Sequence, residues 1–565
     1  MPLIAVNRLN LAIHDKPILK GVSFRISRGE TLGLVGESGS GKSMTALAMM
    51  QLLPHGAEAS GEIRFRKKDV LQMPERELCR MRGRRIGMVF QEPMTALNPV
   101  KTIGAQISES LIWHFRISRR EALDRAGELM ERVGLPVSRF PLERYPHQLS
   151  GGQRQRVVIA MAIACKPRLL IADEPTTALD VTIQAQILAL IKEIVKKDDM
   201  SLLLISHDLA VVADMADRVA IMKDGEIVES GPTGSLFENL SHPYSRSLFE
   251  ASNHVPQKRV RPVLSIARRR TEPLVKVEGL VRNYALPRRS LFKKPPVFTA
   301  VDRVSFNILP GQSLGLVGES GCGKSTLARA ILGLEEPNGG SISVLGRDPF
   351  SVRGKEREEV HRSVQVVFQD PYGSFNPRHK IGRVVAEPLF LLRGEIDEGE
   401  KRRRVEQALS NVGLSPLDME KYPHEFSGGQ RQRIAIARAL VTEPRLIVAD
   451  EPVSALDVSI RAQILDLLAD LRDKLGLAYL FISHDLSVVR AITDEVMVMS
   501  AGKIVEHGPT ALVFDHPRHP YTRLLVSAAP DLKTAIKRRA KRERKAGVMV
   551  KEKTATGAGE EAGET

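Results

Sequence analysis

Two short glycine-rich stretches of the chain have the residue types and the spacing that hold phosphate groups. GESGSGKS occupies residues 36–43 and GESGCGKS occupies residues 318–325, and both fit the pattern G-x-x-x-x-G-K-[S/T]. Glycine lets the backbone curl so that successive N–H groups point at phosphate oxygens, while the lysine reaches the terminal phosphates and the serine can ligate Mg²⁺. Each stretch lies between a strand pattern and a helix pattern. The sequence therefore predicts two sites for a nucleoside triphosphate.

A pair of carboxylates ends an apolar strand pattern in each half of the chain. Asp173 and Glu174 follow LLIA, and Asp450 and Glu451 follow LIVA. The first carboxylate of each pair can hold Mg²⁺, and the second can polarise a water for in-line attack on a phosphate. A helix-capping role for the glutamates is the alternative. The proline after each glutamate and the phosphate-binding stretch in each half argue against it.

One histidine in each half occurs in ISHD after a later strand pattern, at His207 and His484. Each would be an ordinary loop histidine if it were seen alone. Beside a catalytic carboxylate and a γ-phosphate, contact with that phosphate is the better interpretation.

These motifs occur twice because the chain is a tandem duplication. SGGQRQR begins at Ser150 and again at Ser427, and the lysines of the two phosphate-binding stretches are Lys42 and Lys324. A period of nearly half the chain excludes a solenoid of short repeats. We predict a first domain at residues 1–250, a basic linker at 251–272, a second domain at 273–530 and a basic, disordered tail at 531–565. A His-Pro-Tyr segment ends each domain. A simple helix N-terminus is one interpretation of it, but its occurrence at matched positions in both copies argues for a more specific role.

Apolar strand patterns alternate with helical patterns within each copy. TLGLVG leads into KSMTALAMMQLL, and LLIAD leads into VTIQAQILALIKEIVKK. This alternation predicts an α/β fold with a largely parallel sheet that is covered by helices on both faces.

Most of the net charge of +16 lies in two segments. Residues 256–270 carry six basic residues and no acid, and residues 533–553 carry ten basic residues and two acids. Solvated, flexible segments are the first interpretation and contact with anionic lipid is the second. Nucleic acid comes third, because no aromatic residues are interleaved with the basic ones.

Cysteine usage and hydropathy indicate the compartment. The three cysteines are scattered and lack metal-ligand spacing, as in a reducing environment. No run of eighteen apolar residues and no signal-peptide pattern is present in the sequence. We therefore expect a protein of the cytosol.

Taken together, the phosphate-binding stretch, the glutamine in VFQ, and the motifs SGGQ, ADEP, ALD and SHD resemble the nucleotide-binding domain of ABC ATPases, in two complete copies. The resemblance implies tandem P-loop NTPase domains. Each would have a RecA-like core with a mostly parallel sheet, an antiparallel β subdomain and an inserted helical subdomain. It also implies that the two halves of the chain form the ATPase dimer, with ATP between the phosphate loop of one half and the SGGQ motif of the other.

The resemblance implies ATP and Mg²⁺ as cofactors and assigns roles to residues of both copies. The general bases would be Glu174 and Glu451, and the γ-phosphate sensors His207 and His484. The Mg²⁺ ligands would be Ser43, Gln91, Asp173, Ser325, Gln369 and Asp450. The ATP-binding residues of the first copy would be Gly36, Glu37, Ser38, Gly39, Ser40, Gly41, Lys42, Ser43, Gln91, Ser150, Gly151, Gly152, Gln153 and Asp180. Those of the second copy would be Tyr284, Gly318, Glu319, Ser320, Gly321, Cys322, Gly323, Lys324, Ser325, Gln369, Ser427, Gly428, Gly429, Gln430 and Asp457.

The resemblance also has implications for contacts between the domains, for adenine binding and for hydrolysis at the two sites. Asp180 and Asp457 would contact the opposite domain. Tyr284 resembles the aromatic residue that stacks on adenine, and its counterpart in the first copy falls near His14. Neither copy has lost its lysine, glutamate or histidine, so both sites are predicted to hydrolyse ATP.

Two further segments resemble one branch of the family, the importer ATPases for dipeptides, oligopeptides and glutathione. These are QEPMTALNP with QDPYGSFNP, and SHPYSRSL with RHPYTRLL. The alternative is a soluble tandem ABC ATPase that acts on ribosomes or nucleic acid, which typically carries a long charged helical linker. The predicted linker of this chain, by contrast, is short and contains Pro256 and Pro262.

The importer resemblance implies partners and a location. The partners would be two transmembrane permease subunits and, through them, a periplasmic solute-binding protein, with no nucleic acid. The protein would be peripheral on the cytoplasmic face of the inner membrane. No cysteine follows Cys322, so an iron–sulfur cluster in the tail is not expected.

Overall fold

The computed structural model describes residues 2–177, 179–254, 256, 272–286, 296–370, 373–454, 456–541 and 543. Its contacts divide the chain into two compact units. The first unit contains residues 1–179, 183–253 and 530–565, and the second contains residues 180–182 and 254–529. Most of the predicted linker, residues 257–271, and the end of the predicted tail, from residue 544, lie outside the described residues.

The first unit contains two sheets. A four-stranded antiparallel sheet has the order β2-β1-β4-β5, and a six-stranded sheet has the order β10-β9-β3-β8-β7-β6. In the larger sheet only the pairing of β9 with β10 is antiparallel. The strands are β1 (Ile4–Ile13), β2 (Lys16–Ile26), β3 (Thr31–Val35), β4 (Ala57–Phe65), β5 (Lys68–Asp69), β6 (Ile86–Val89), β7 (Leu169–Asp173), β8 (Ser201–Ser206), β9 (Arg218–Lys223) and β10 (Glu226–Pro232).

Helices connect these strands, and α3 to α6 are inserted between β6 and β7. Short 3-10 turns also occur at Val70–Gln72 and Pro146–Gln148. The α-helices are α1 (Lys42–Met50), α2 (Glu75–Met81), α3 (Pro93–Ala96), α4 (Ile103–Phe115), α5 (Arg119–Arg132), α6 (Gly151–Ile163), α7 (Val181–Lys197), α8 (Leu209–Met215), α9 (Thr233–Glu238) and α10 (Pro243–Ser252).

The second unit repeats this arrangement. A three-stranded antiparallel sheet has the order β12-β11-β14, and a six-stranded sheet has the order β15-β16-β17-β13-β18-β19. The strands are β11 (Val275–Ala285), β12 (Val297–Ile308), β13 (Ser313–Val317), β14 (Gly339–Val344), β15 (Val364–Val367), β16 (Leu446–Asp450), β17 (Ala478–Ile482), β18 (Glu495–Ser500) and β19 (Lys503–Pro509).

Most helices of this unit occupy places along the chain equivalent to those of the first unit. Short 3-10 helices occur at Glu387–Leu392, Pro416–Glu420 and Pro423–Glu425. The α-helices are α11 (Lys324–Ile331), α12 (Gly354–Ser363), α13 (Ile381–Ala386), α14 (Glu398–Asn411), α15 (Gly428–Leu440), α16 (Val458–Leu475), α17 (Leu486–Ile492), α18 (Thr510–Asp515) and α19 (Pro520–Ala528).

Strands β3, β7 and β8 of the first unit are buried along their whole length, which explains their continuous apolar sequences. Every residue of β3 and β7 is buried, because helices cover both faces of a parallel sheet. The parallel register pairs Val35 with Ser206 and Asp173 with Ile205. The carboxyl ends of β3, β7 and β8 therefore meet at one edge. The predicted α/β fold with a mostly parallel sheet is confirmed.

The predicted tail differs from the structure at its beginning. We expected residues 531–565 to be disordered, but residues 532–541 are helical. The segment is rich in basic residues, but it also contains apolar residues at the spacing of one helix face. These apolar residues are buried.

Within the described part of the chain, no helix combines the length and the apolar character that crossing a membrane requires.

Candidate active sites

The first phosphate loop lies between β3 and α1, and its own carbonyl groups hold its lysine. Lys42 Nζ donates to the carbonyl oxygens of Gly36 and Glu37, both at 2.8 Å, and lies 3.4 Å from Ser40 Oγ. The Lys42 residue is only 5% exposed. Gly41 adopts a left-handed φ of 99° at the start of α1, and a Cβ there would lie 2.5 Å from Leu19 Cδ2. The loop therefore presents a desolvated ammonium at the edge where the strands end.

The second phosphate loop has the same geometry. Lys324 Nζ donates to the carbonyl oxygens of Gly318 at 2.8 Å and Glu319 at 2.9 Å. Gly323 has a φ of 111° at the start of α11. Cys322 replaces the serine of the first loop, with its Sγ 4.0 Å from Lys324 Nζ. Burial raises the pKa of the Cys322 thiol, so this side chain stays neutral.

The serine after each lysine contacts the first carboxylate of the acidic pair. Ser43 Oγ donates to Asp173 Oδ1 at 3.1 Å. Burial raises the pKa of Asp173 to about 6, although the hydrogen bond from Ser43 and the charge of Lys42 oppose this. Burial also raises the pKa of Asp450, against a hydrogen bond from Ser325. In each unit, the serine hydroxyl and the aspartate carboxylate therefore lie side by side as two possible oxygen ligands for a metal ion.

The second carboxylate of the first pair receives three side-chain contacts. Glu174 accepts hydrogen bonds from Gln91 Nε2 at 3.1 Å and Thr177 Oγ1 at 2.9 Å, and its Oε1 lies 3.2 Å from His207 Nδ1. The residue is 9% exposed and has a left-handed φ of 45°. Burial alone would raise the pKa of Glu174, but His207, Thr177 and Lys42 reverse the effect and lower it to about 2. The carboxylate is therefore ionised near neutral pH.

The corresponding glutamate of the second unit has one side-chain contact fewer. Glu451 accepts from Gln369 Nε2 at 2.8 Å, and its Oε1 lies 2.9 Å from His484 Nδ1. Ser454, at the position of Thr177, donates instead to the backbone carbonyl of Glu451 at 3.1 Å. Burial opposes ionisation, yet His484 and Lys324 lower the pKa of Glu451. Burial would lower the pKa of His484, but its contact with Glu451 raises it.

Each SGGQ motif forms the beginning of a helix. Ser150 Oγ accepts from the Gln153 N–H at 3.4 Å, and Gln153 Oε1 accepts from the Ser150 N–H at 3.0 Å. Ser427 and Gln430 form the same reciprocal pair. This capping box satisfies two N–H groups at the helix start. Serine and glutamine are thus explained by local structure alone, in addition to any contact with a ligand.

The two glycines of each motif have different surroundings. A Cβ on Gly152 would lie 2.5 Å from Ile183 Cγ2, and a Cβ on Gly429 would lie 2.5 Å from Ile460 Cγ2. A Cβ on Gly151 would meet nothing closer than 3.6 Å, and one on Gly428 would meet nothing within 4 Å. The second glycine therefore lets two helices pack closely. The first glycine is the one whose face is open to a ligand.

Tyr284 lies in β11, with its hydroxyl hydrogen-bonded to Glu335 and the Arg282 guanidinium 5.0 Å from its ring centroid. In β1 the same register position is taken by Ile13, since Ile4 and Val275 begin matching strand pairings. His14 lies in the turn that follows, where it packs on Gly56. The two copies therefore differ at the predicted adenine contact.

Asp180 directly precedes α7, and Asp457 occupies the N-cap position of α16 without a side-chain capping hydrogen bond. Their contact with the opposite domain stays a prediction.

Sequence reasoning missed one contact to each phosphate loop. The hydroxyl of Tyr244 accepts a hydrogen bond from the Glu37 N–H at 3.2 Å, and the hydroxyl of Tyr521 accepts one from the Glu319 N–H at 3.0 Å. These are the tyrosines of the two His-Pro-Tyr segments. The signal was their repetition at matched positions, but each contact joins residues that lie far apart along the chain, so no local pattern reveals it.

A glutamate of the preceding hairpin positions each of these tyrosines. Glu229 accepts from the N–H groups of Ser241 at 2.8 Å and His242 at 3.3 Å. His242 Nδ1 in turn accepts from the Tyr244 N–H at 3.2 Å and so begins α10. Glu506, His519 and Tyr521 repeat the arrangement.

Comparisons with known proteins agree with these two sites. The family model for the ABC transporter matches residues 19–177 and 301–454. The model for the oligopeptide/dipeptide transporter C-terminal region matches residues 228–273 and 505–555.

Relatives with known roles match almost the whole chain. The glutathione import ATP-binding protein GsiA of Salmonella choleraesuis (strain SC-B67) is 47% identical over 563 residues, which cover 94% of this chain and 89% of that protein. GsiA of Escherichia coli (strain K12) is 46% identical over 561 residues, with the same coverage. Among solved structures, cbiO1 from Clostridium perfringens is 29% identical, covers 43% of this chain and 92% of its own, and has a TM-score of 0.38. By its family-model matches and its relatives, the chain belongs to the ABC transporter family, as an ATP-binding protein with two ATPase domains.

Proposed function

We propose that this protein is the ATP-hydrolysing subunit of an importer for peptides or glutathione, and that both of its ATP sites hydrolyse. The observation that carries the first part is the similarity to glutathione import ATP-binding proteins over 94% of the chain. The observation that carries the second part is the glutamate–histidine–glutamine cluster beside a buried lysine in both units.

In the proposed mechanism, Lys42 and Lys324 exchange their loop carbonyls for the terminal phosphates of ATP. The N–H groups of each loop and the start of the following helix bind the same phosphates. Glu174 and Glu451 accept a proton from the water whose oxygen bonds to the γ-phosphorus, while the bond from that phosphorus to the β–γ bridging oxygen breaks and ADP leaves. The ionised state of the two glutamates suits this role. His207 and His484 contact these carboxylates, and the family resemblance implies that each ring also contacts a γ-phosphate.

The residues below each phosphate loop fit Mg²⁺. Ser43 Oγ and Asp173 Oδ1 lie 3.1 Å apart, and hard oxygen ligands of this kind suit the ion. Gln91 uses its Nε2 for Glu174, which leaves its Oε1 as the atom that can face a cation. Mg²⁺ held there together with ATP would neutralise charge on the phosphate oxygens. Ser325, Asp450 and Gln369 form the matching set in the second unit.

The remaining parts of the proposal follow from the family. Two transmembrane permease subunits and a solute-binding protein outside the membrane would be the partners, and the chain would be peripheral on the cytoplasmic face of the inner membrane. The two halves would form the ATPase dimer, with Ser150 serving the ATP held by Lys324 and Ser427 serving the ATP held by Lys42. Glutathione and short peptides are the substrate class, since these are the substrates that the names of the relatives and of the matching family model give.

Glutamate substitution tests the hydrolytic part. We expect Glu174→Gln and Glu451→Gln each to lower the Mg²⁺-dependent ATPase rate of the full chain, and the double variant to lose about 10²- to 10⁴-fold, the usual contribution of a general base. ATP binding should persist in all three variants, which serves as the folding control. An unchanged rate in Glu174→Gln together with a lost rate in Glu451→Gln would show that only one site hydrolyses.

Import is tested with the permease subunits of the host. Proteoliposomes that contain those subunits, the full chain and internal ATP should accumulate labelled glutathione or a labelled dipeptide in the presence of the solute-binding protein. The double glutamate variant should not support accumulation. Co-sedimentation of the chain with ribosomes, and not with membranes, would favour the alternative of a soluble tandem ATPase.

A further inference from the structure

The helix formed by residues 532–541, which we call the C-terminal helix, is packed on the first unit. Asp531 begins it, since Asp531 Oδ1 accepts from the Thr534 N–H at 2.8 Å. The buried residues recur every three or four positions, as expected for one helix face. They are Leu532, Ala535, Ile536 and Ala540.

One arginine of this helix contacts the end of α8. Arg539 donates to the backbone carbonyls of Asp214 at 3.2 Å and Met215 at 2.6 Å, and to Asp217 Oδ1 at 2.8 Å. Its side chain is only 12% exposed. Hydrogen bonds from a desolvated guanidinium to a carboxylate are stronger than neutral ones, and a cation is favourable at the carboxyl end of a helix.

The chain just beyond the helix contacts the start of α9, where the surface has room for it. Glu543 accepts from the N–H groups of Gly234 at 2.7 Å and Ser235 at 3.2 Å. A Cβ on Gly234 would lie 2.6 Å from the Ala540 N atom and 2.7 Å from its Cα atom. Any side chain at residue 234 would therefore displace the backbone of the C-terminal helix.

In the described part of the second unit, the surface that corresponds to the one around Asp217 is formed without such a segment. Asp494 corresponds to Asp217, and Arg472 Nη1 from α16 lies 3.5 Å from its carboxylate. The residue at the Arg472 position in α7 is Val195, and the residue at the Gly234 position in α18 is Ala511. The first unit thus lacks the internal arginine and has the glycine, and the C-terminal segment supplies the cation.

The surface around Asp217 lies at the end of α8 and the start of β3, and the opposite end of each element lies at the ATP site. Asp208 caps the start of α8 next to His207, and Arg539 holds the end of that helix. Asp217 Oδ2 also accepts from the Thr31 N–H at 2.9 Å, at the start of the strand that leads to the phosphate loop. We propose that residues 531–541 together with Glu543 are a docking segment for the surface formed by α8, Asp217 and Gly234, and that its docking keeps the first ATP site active.

Hydrogen–deuterium exchange of the full chain tests the docking without requiring ATP hydrolysis or import. In Gly234→Ala we expect the amides of the C-terminal helix to exchange at least about tenfold faster than in the parent, because the helix is displaced. Ala511→Gly is the matched control at the equivalent position and should leave that exchange unchanged. Arg539→Ala should accelerate the exchange, whereas Arg538→Ala, which removes the same charge from an exposed neighbour, should not.

The ATPase rate tests the effect on the first site, and this part rests on the proposed function. Gly234→Ala should lower the rate at least about threefold in a Glu451→Gln chain, where only the first site hydrolyses, and should leave the rate of a Glu174→Gln chain unchanged. Parent amides that exchange like those of a free peptide would overturn the docking. Faster exchange with no change of rate in the Glu451→Gln chain would overturn its role in the first site.

Discussion

The tyrosine at the end of the second domain allows a direct test of how the phosphate loop is held. Tyr521 reaches the loop through a single hydrogen bond, in which its hydroxyl accepts from the Glu319 N–H at 3.0 Å. The substitution Tyr521→Phe removes this acceptor and keeps the ring, which packs against the hydrophobic core of the unit. We expect weaker ATP binding at the second site, with the fold of the unit preserved.

The size of the effect follows from the kind of bond. A neutral hydrogen bond contributes about 0.5–1.5 kcal/mol to net stability. Glu319 and Tyr521 are both partly exposed, so water can replace the lost acceptor in the variant. The lower half of the range then applies, and about 0.5–1 kcal/mol corresponds to about two- to fivefold weaker binding of ATP.

The assay is ATP binding by a full chain that carries Lys42→Ala, so that only the second site binds tightly. Titration with a fluorescent ATP analogue gives the dissociation constant with and without Tyr521→Phe. Tyr244→Phe in the same background is the matched control, because Tyr244 contacts Glu37 of the first loop.

Two results would refute the reasoning. An affinity that changes by less than about 1.5-fold would mean that the hydrogen bond does not hold the loop in its binding conformation. An equal loss from Tyr244→Phe would mean that the tyrosines act on the stability of the chain and not on the neighbouring loop.

Two further predictions concern the helix starts. Gly152→Ala should destabilise the first unit by about 1–3 kcal/mol, the usual cost of overpacking, because the new Cβ would lie 2.5 Å from Ile183 Cγ2. Gly151→Ala should not destabilise it, because the nearest atom to the new Cβ would be Leu179 Cδ2 at 3.6 Å. Thermal unfolding of the two variants tests the difference. Burial would raise the pKa of Glu229, but the nearby Ser245 hydroxyl and hydrogen bonds from Ser241 lower it from 4.5 to about 2. A carboxyl group whose pKa is lower in the folded than in the unfolded chain stabilises the fold at pH values above its unfolded pKa. The melting temperature of the parent should therefore exceed that of Glu229→Gln above about pH 4.5, and the difference should vanish toward pH 2.

The fold was largely predictable because its signals are local. The strands that carry the sites are continuous apolar runs, as in Leu169–Asp173, and each is followed by a helical pattern. The tail was not predictable in the same way. Four buried apolar residues between residues 532 and 540 lie among basic residues, and their burial depends on a surface formed by a distant, much earlier part of the chain.

The candidate site likewise combines residues that local motifs predict with residues that no local motif predicts. Lys42, Glu174 and His207 occur in motifs with fixed spacing, and the structure brings them together. Their supports come from residues that carry no motif, such as Thr177 for Glu174 and Tyr244 for the phosphate loop. A hydrogen bond such as that of Tyr244, between residues far apart in the chain, depends on tertiary packing, which one sequence does not display.

The two domains differ in their contacts with the C-terminal segment, although their predicted catalytic residues match. The C-terminal segment follows the second domain, yet its described residues pack on the first unit, where Gly234 lies against the backbone of Ala540. The residue of the second unit at the position of Gly234 is Ala511. The second domain has Arg472 at its corresponding surface, a residue that is 4% exposed. A chain with the two domains in reversed order would carry the same catalytic residues twice. Its C-terminal segment would then follow the domain that accepts it, at a different tether length, so our docking proposal predicts that the order of the domains changes how the segment reaches its surface.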